Sequence, residues 1–487
     1  MVAYVPPKQA GKYKAVASGA ITNGKPVLVN TDGTVTQISE TAAGFGSEAV
    51  FESAAANFVA ATFDSNSNKV VIGYGDGGNS GYGTAVVATI DSSDNSVSYG
   101  TPVVFVSGEV RYLSATFDSN TNRVVMSYRN DTSGDNGFSV VGSVSGTDIS
   151  FGTPVTFNSG ASSTNYVAST FDSSNNKIVI AYEDNNNSAY GTAIVGTVDS
   201  SDNSISFGSE AVFESASSQQ IAMTFDSSNN KVVIAYKDQG NSSAGTAIVG
   251  TVSGTSISFG LAATFDTSTS TDNITATFDS SNNKVFLAYQ DGGNSNYGTA
   301  VIGTVSGTSI SFGSEVVYNS GNSVQKNATF DTNNNKVVLA FLDHGNSRGQ
   351  VIIGTVSGTG VSFGSATTYD DSQVLYSQVV FDSSTNKLLV AYHDDGNSSY
   401  GTARVFAPAV PTNLTSENYI GIASGGTYAD TAEATIDVVG TVNKDQTSLT
   451  AGQTYYVQTD GTLGTTADDP SVVAGTAISA TELIVKG

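Results

Sequence analysis

The chain has 487 residues, with 43 Asp and Glu against 19 Lys and Arg, and neither cysteine nor tryptophan. The lack of cysteine excludes a disulfide scaffold, a thiolate zinc site and a cysteine nucleophile. A formal net charge of −24 argues against nucleic acid, because nothing here would replace the counterions of a phosphate backbone.

Charged residues are only 13% of the chain, while Gly, Ser, Thr and Asn abound, a composition suited to a turn-rich all-β protein. The first residues, MVAYVPPKQAGKYK, hold no apolar run of secretory-leader length, and no stretch approaches the roughly 18 apolar residues of a membrane span. Neither a leader nor a span is expected. Lys25–Ser39 then reads as a hairpin centred on Asp32-Gly33.

Seven repeats follow. A phrase close to TFDSSNNKVVIAYxDxGNSxYGTAIVGTVSGTSISFGSEVVF recurs, with its Phe-Asp landmark at Phe63, Phe117, Phe171, Phe225, Phe278, Phe330 and Phe381. Each repeat predicts four short strands: one ending at Phe-Asp, one such as Lys177–Tyr182, one such as Thr192–Val198, and one running from Ser206 to Phe213. The second strand is apolar almost without alternation, which implies burial on both faces. Four strands per repeat of about fifty residues, seven times over, predict a seven-bladed β-propeller rather than a sandwich or a β-helix. The seventh repeat stops at Pro408 without a fourth strand, while a fourth-strand phrase stands before the first repeat, from Phe45 to Phe51. The two ends are therefore expected to share one closing blade and hide two open sheet edges.

The remaining flanks, 1–43 and 408–487, predict one small β domain into which the propeller (44–407) is inserted, with Pro408 and Pro411 at the junction. Thr454–Thr466 centres on a second Asp-Gly turn, and Ala477–Val485 reads as a last strand. ASGAITNGKPVLVNTDGTV in the N-terminal flank and Leu449–Gly487 in the C-terminal one, continuous over Ser448–Gly464, resemble a module of tailed-phage virion structural proteins of the marine, cyanophage type. That resemblance implies a virion-surface location, attachment to other virion proteins of head or tail through the terminal domain, and homo-oligomers in the particle.

Candidate chemistry is sparse. His344 and His393 fall in nearly corresponding loops of repeats six and seven and read as drifting polar positions. Arg111, Arg123, Arg129, Arg348 and Arg404 are too few and scattered for a carboxylate clamp. Asp370-Asp371, Asp394-Asp395 and Asp468-Asp469 read as solvated loop charges. The FDSSNNK loop offers an Asp beside Ser and Asn oxygens but no bidentate Glu, so no cofactor is expected beyond weak calcium binding.

The DxGNSxYG loop recurs as Asp76 with Tyr82, Asp184 with Tyr190, Asp291 with Tyr297 and Asp394 with Tyr400. On one propeller face these residues would form a rim offering aromatic faces and polar groups to a sugar, although packing of the Tyr against the next blade is the favoured reading. The expectation is a non-enzymatic phage virion protein, a capsid decoration or fibre adhesin contacting host-surface glycans. The alternative is a bacterial extracellular lectin-like adhesin.

Overall fold

The computed structural model describes residues 11–39, 43–160, 164–268, 270–408, 412–468 and 470–486. Pro411 and Asp469, two of the residues singled out above, lie outside this set. The chain divides into two compact units, one of residues 1–43 and 408–487 and the other of residues 44–407. Both are built of β-strands joined by turns, with single 3-10 turns in the second, and no helix among the described residues is long and apolar enough to cross a membrane.

The first unit contains two five-stranded sheets. In one of them both ends of the chain interleave: Lys12–Val16 pairs with Glu433–Val438, and Pro26–Val29 with Tyr419–Ala423. Each Asp-Gly pair closes a hairpin. Gly33 and Gly461 adopt φ of 83° and 75°, and their N–H groups donate to Asn30 and Gln458 carbonyls at 3.0 Å. Gly461 is sterically required as well, since a Cβ there would lie 2.0 Å from the Ile38 carbonyl oxygen.

In the second unit every repeat starts the same way. The Asp of Phe-Asp is buried, and its carboxylate ends the first strand by accepting turn amides, as when Asp172 Oδ1 takes Ser174 and Asn175 N–H at 3.0 Å each. The turn closes on an Asn in the left-handed region, Asn68, Asn122, Asn176, Asn230, Asn283, Asn335 and Asn386, all at φ of 53–55°. Asn tolerates that conformation better than other side-chain-bearing residues, which explains its recurrence before each Lys or Arg.

The second and third strands then run side by side, as Lys177–Asp184 pairs with Tyr190–Asp199. Alternate residues face different cores. Ile178, Ile180, Tyr182 and Ile194 pack on Val125 and Val141 of the preceding repeat; Val179, Ala181, Ala193 and Val195 pack on Val232 and Ile234 of the next. Burial on both faces is thus the cause of the unbroken apolar run.

Six such clusters join successive repeats, and a seventh joins the last repeat to the first, with Leu389, Ala391, Ala403 and Val405 against Val70, Ile72 and Tyr74. The third strand of the last repeat, Tyr400–Ala407, pairs with Gly44–Phe45 and with Ala49–Ala55, the start of the strand Ala49–Asp64. First strands of all seven repeats line a single cavity of about 500 Å³.

Two glycine positions are fixed by this packing. At the head of each third strand (Gly83, Gly137, Gly191, Gly245, Gly298, Gly349, Gly401) a Cβ would meet an aromatic ring at 2.4–2.5 Å. In the FG phrase, a Cβ at Gly208 would lie 1.9 Å from the Thr255 carbonyl oxygen of the next repeat.

Candidate functional site

The DxGNSxYG loops connect second to third strands. Their Asp side chains are spent locally, capping the single 3-10 turns that follow: Asp76 accepts Gly78 N–H at 2.9 Å, Asp184 Asn186 N–H at 3.0 Å, Asp291 Asn294 N–H at 3.1 Å and Asp394 Asn397 N–H at 3.1 Å. Each Asp is brought opposite its own Tyr at the end of the hairpin ladder, Asp76 with Tyr82, Asp184 with Tyr190, Asp291 with Tyr297 and Asp394 with Tyr400. These tyrosines are half-buried at the head of the third strand, each pair in its own repeat.

The histidines are not equivalent. His344 is exposed in its turn, whereas His393 is buried one position before the cap, where repeat six carries Leu342. His393 Nδ1 lies 3.0 Å from the Ala56 carbonyl and Nε2 lies 2.9 Å from Asp395 Oδ1. Among the described residues, two acids distant in sequence, Asp370 and Asp394, are brought together. Ser372 Oγ donates to both Asp370 (2.6 Å) and Asp394 (3.1 Å), and burial, followed by the charge of Asp370, raises Asp394 above the ordinary carboxylate range. Among the described residues no group of three or more His, Cys, Asp or Glu is placed to hold a metal ion.

Sequence reasoning missed a different set, five residues before each Phe of Phe-Asp: Phe58, Tyr112, Tyr166, Gln220, Asn273, Gln325 and Tyr376. All seven are half-buried and all have φ between 48° and 53°; six of them, all but Tyr166, line a cavity of about 200 Å³, to which the third repeat contributes Val167. This cavity shares Leu113, Val167, Ile274, Lys326 and Gln378 with the larger one, so it forms the latter's mouth. A bulky residue at positive φ is costly, of order 1–3 kcal/mol, and persists only where surrounding structure enforces it. Here the enforcing element is a bulge: the ladder between first and second strands skips two residues, as between Asn57 and Ala60, turning the intervening side chain toward the mouth.

The mouth has two arcs. Tyr376, Phe58, Tyr112 and Tyr166 are neighbours, with ring centroids 4.8, 5.9 and 5.2 Å apart in that order. On the other side Gln220 Oε1 accepts Asn273 N–H (3.2 Å), Asn273 Oδ1 accepts Gln325 N–H (3.3 Å), and Gln325 Oε1 accepts Tyr376 N–H (2.9 Å). With each oxygen tied to a backbone donor, the carboxamide nitrogens of Gln220 and Gln325 remain as donors. Burial holds the Tyr112 and Tyr376 hydroxyls neutral and pushes Tyr166 up to about 12.

Beneath the arcs the position after the second-strand Tyr or Phe carries a different residue in every repeat: Gly75, Arg129, Glu183, Lys237, Gln290, Leu342 and His393. The polar ones reach across to the following repeat. Arg129 bonds Asn165 Oδ1 (2.6 Å), Glu183 accepts Ser217 Oγ–H (2.7 Å), Lys237 pairs with Asp272 (2.8 Å) and Gln290 bonds Asn322 Oδ1 (2.7 Å). The ionisable groups nearest the mouth are thus engaged with protein partners. Lys326 stands where five repeats have Val, Leu or Ile. It is buried, donates to the Ser323 carbonyl at 2.9 Å, and burial drives its ammonium well below its ordinary value.

No family model and no curated protein matches the chain. Among solved structures it is similar to the NanB sialidase of Streptococcus pneumoniae, at 13% identity over 75% of this chain and 70% of that one, with a TM-score of 0.43. It is also similar to a protein from Lactobacillus plantarum, at 10% identity over 69% and 93% with a TM-score of 0.45, and to a protein of unknown function from Dyadobacter fermentans, at 11% over 80% and 99% with a TM-score of 0.42.

Proposed function

We propose that the chain is a non-enzymatic surface-display protein: a seven-bladed β-propeller, carried as an insertion on a small β unit made from both chain ends, that binds carbohydrate. The observation that carries this reading is the mouth of the axial cavity, where half-buried aromatic rings face carboxamide donors. A sugar needs both, an apolar platform for its C–H face and fixed polar groups for its hydroxyls. Engagement of Arg129, Glu183, Lys237, Asp272 and His393 with protein partners supports a binding rather than a catalytic role.

The setting we propose is the surface of a tailed-phage particle, supported by the sequence resemblance of the flanks to a virion module. The small unit would then contact other virion proteins and the propeller host-surface glycans. Mass spectrometry of purified particles, together with a glycan array probed with the full chain, tests both parts. Absence from particles removes the virion setting. Absence of any glycan signal removes the binding role.

A further inference from the structure

Resting on the carbohydrate reading, we infer that the sugar site is the axial mouth itself, one per chain, and that it takes a single uncharged terminal pyranose rather than an extended or acidic glycan. The rim tyrosines Tyr82, Tyr190, Tyr297 and Tyr400 lie in separate repeats, and the Asp beside each is committed to capping its own turn. At the mouth, by contrast, all seven repeats converge on one cavity of about 200 Å³, the size of a single sugar ring.

The two arcs assign the orientation. The apolar face of the pyranose rests on Tyr376, Phe58 and Tyr112, whose rings pack tilted against one another and are only half-buried. Its hydroxyls then point to the carboxamide nitrogens of Gln220 and Gln325, which are fixed as donors because the amide oxygens are taken by Asn273 and Tyr376 N–H. The hydroxyls of Tyr112 and Tyr376, which line the cavity, have no hydrogen-bond partner among the described residues and supply the remaining polar contacts.

Ligand charge is excluded by what surrounds the mouth. The seven side chains of its rim are all uncharged at neutral pH, and the nearest charges are paired, Arg129 and Arg111 with Asp131 and Lys237 with Asp272. Lys326 lines this cavity, but it donates to the Ser323 carbonyl at 2.9 Å and burial favours its neutral amine. A carboxylate would then meet chiefly the field of a chain of net charge −24.

The test titrates the full chain with methyl glycosides of gluco, galacto and manno configuration, read by calorimetry and by saturation-transfer NMR. Gln220→Glu and Gln325→Glu keep the acceptor for the Asn273 and Tyr376 amides, so the fold is retained, while the donor is lost. Thermal melts of each variant confirm folding. The expected result is one site per chain, a tenfold or greater loss of affinity in the double Glu variant and in Tyr112→Leu, and no change in Tyr190→Ala or Tyr400→Ala. Saccharide binding that survives the mouth variants but falls with the rim variants, or a stoichiometry of several per chain, overturns the mouth assignment and leaves the carbohydrate reading standing. No saccharide binding by calorimetry, NMR or array overturns both. Tighter binding of a uronic acid glycoside than of its neutral counterpart overturns the uncharged-ligand part alone.

Discussion

Val379 donates its backbone N–H to Asn327 Oδ1 at 3.0 Å, joining the first strands of the seventh and sixth repeats. The same bond recurs at corresponding positions, from Ala328 N–H to Thr275 Oγ1 and from Ser169 N–H to Ser114 Oγ, both at 3.1 Å. Neighbouring first strands are not ladder partners, so a side-chain oxygen satisfies an amide that would otherwise line the cavity unpaired. Asn327→Ala should therefore cost about 1–2 kcal/mol. Asn327→Thr, which copies repeat five, should recover most of that. Urea denaturation with unchanged m-value is the measurement. An Ala variant as stable as the parent would mean that water replaces the side chain.

The FG glycines offer an internal control. A Cβ at Gly208 would sit 1.9 Å from the Thr255 carbonyl oxygen, whereas at Gly364 the nearest atom is 3.9 Å away. The difference arises because repeat seven has no third-to-fourth-strand turn: Tyr400–Ala407 leads out of the unit instead. Gly208→Ala should destabilise by about 1–3 kcal/mol through overpacking, and Gly364→Ala by less than about 0.5 kcal/mol. Equal melting temperatures for the two variants would contradict the packing at this junction.

Arg404 replaces the Ile or Val of other third strands and holds the two ends of the second unit together. Its Nε and Nη2 donate to the Gly46 carbonyl at 3.0 and 2.9 Å, Nη1 donates to the Tyr369 carbonyl, and the guanidinium stands 5.3 Å from the Phe45 ring centroid. Arg404→Ile restores the repeat consensus yet should cost about 2–3 kcal/mol, since these are charge-assisted bonds. Hydrogen exchange should show the loss first in Gly44–Phe45 and Tyr400–Ala407. Uniform exchange across the unit would argue against a latch.

The repeats, their second and third strands and the pairing of the two chain ends were legible in the sequence because spacing and turn chemistry record them directly. The fourth strand expected from Ser206 to Phe213 is instead split into Ser204–Phe207 and Ala211–Asp226, the latter continuing as the next repeat's first strand. The mouth was not. Phe58, Gln220 and Tyr376 share no chemistry, and their common role arises only once the repeats enclose one cavity. Adjacency misled in the same way: Asp394-Asp395 drew attention as neighbours, while the acid that meets Asp394 is Asp370, 24 positions earlier. His344 and His393 looked alike because a two-residue offset within a polar loop leaves no pattern.

The different residues at Arg129, Glu183, Lys237, Gln290 and His393 give each junction its own complement, so a repeat docks well only on its true neighbour. This works against slippage, a hazard of near-identical repeats. Lys237→Asp should set two acids against each other at the Asp272 junction and cost about 2 kcal/mol. The double variant with Asp272→Lys should regain at least half. A double-mutant cycle by chemical denaturation measures the coupling, and a coupling energy near zero would leave these differences without a pairing role.

Stability should rise on mild acidification. Burial first, and then the charges of Asp76, Asp238, Asp266 and Asp370 respectively, raise Glu52, Glu214, Asp291 and Asp394; Glu315 is raised mainly by burial. An acid whose folded value is raised contributes stability below its unfolded value and loses it as pH rises through the folded one. The melting temperature should accordingly climb as pH falls from 7 toward the upper edge of the carboxylate range. It should fall again lower down, where Asp32, Asp91 and Asp199, held low by Thr34, Ser93 and Ser201 hydroxyls, become protonated. Relief of general repulsion in a chain of charge −24 acts in the same direction, so the decisive comparison holds charge constant. Glu52→Gln with Glu214→Gln should flatten the pH slope, because Tyr74 and Tyr236 keep an acceptor while the half-buried ionisation disappears. Asp94→Asn with Asp202→Asn, which removes two exposed acids, should leave the slope intact. Equal flattening by both pairs would assign the effect to net charge rather than to the half-buried carboxylates.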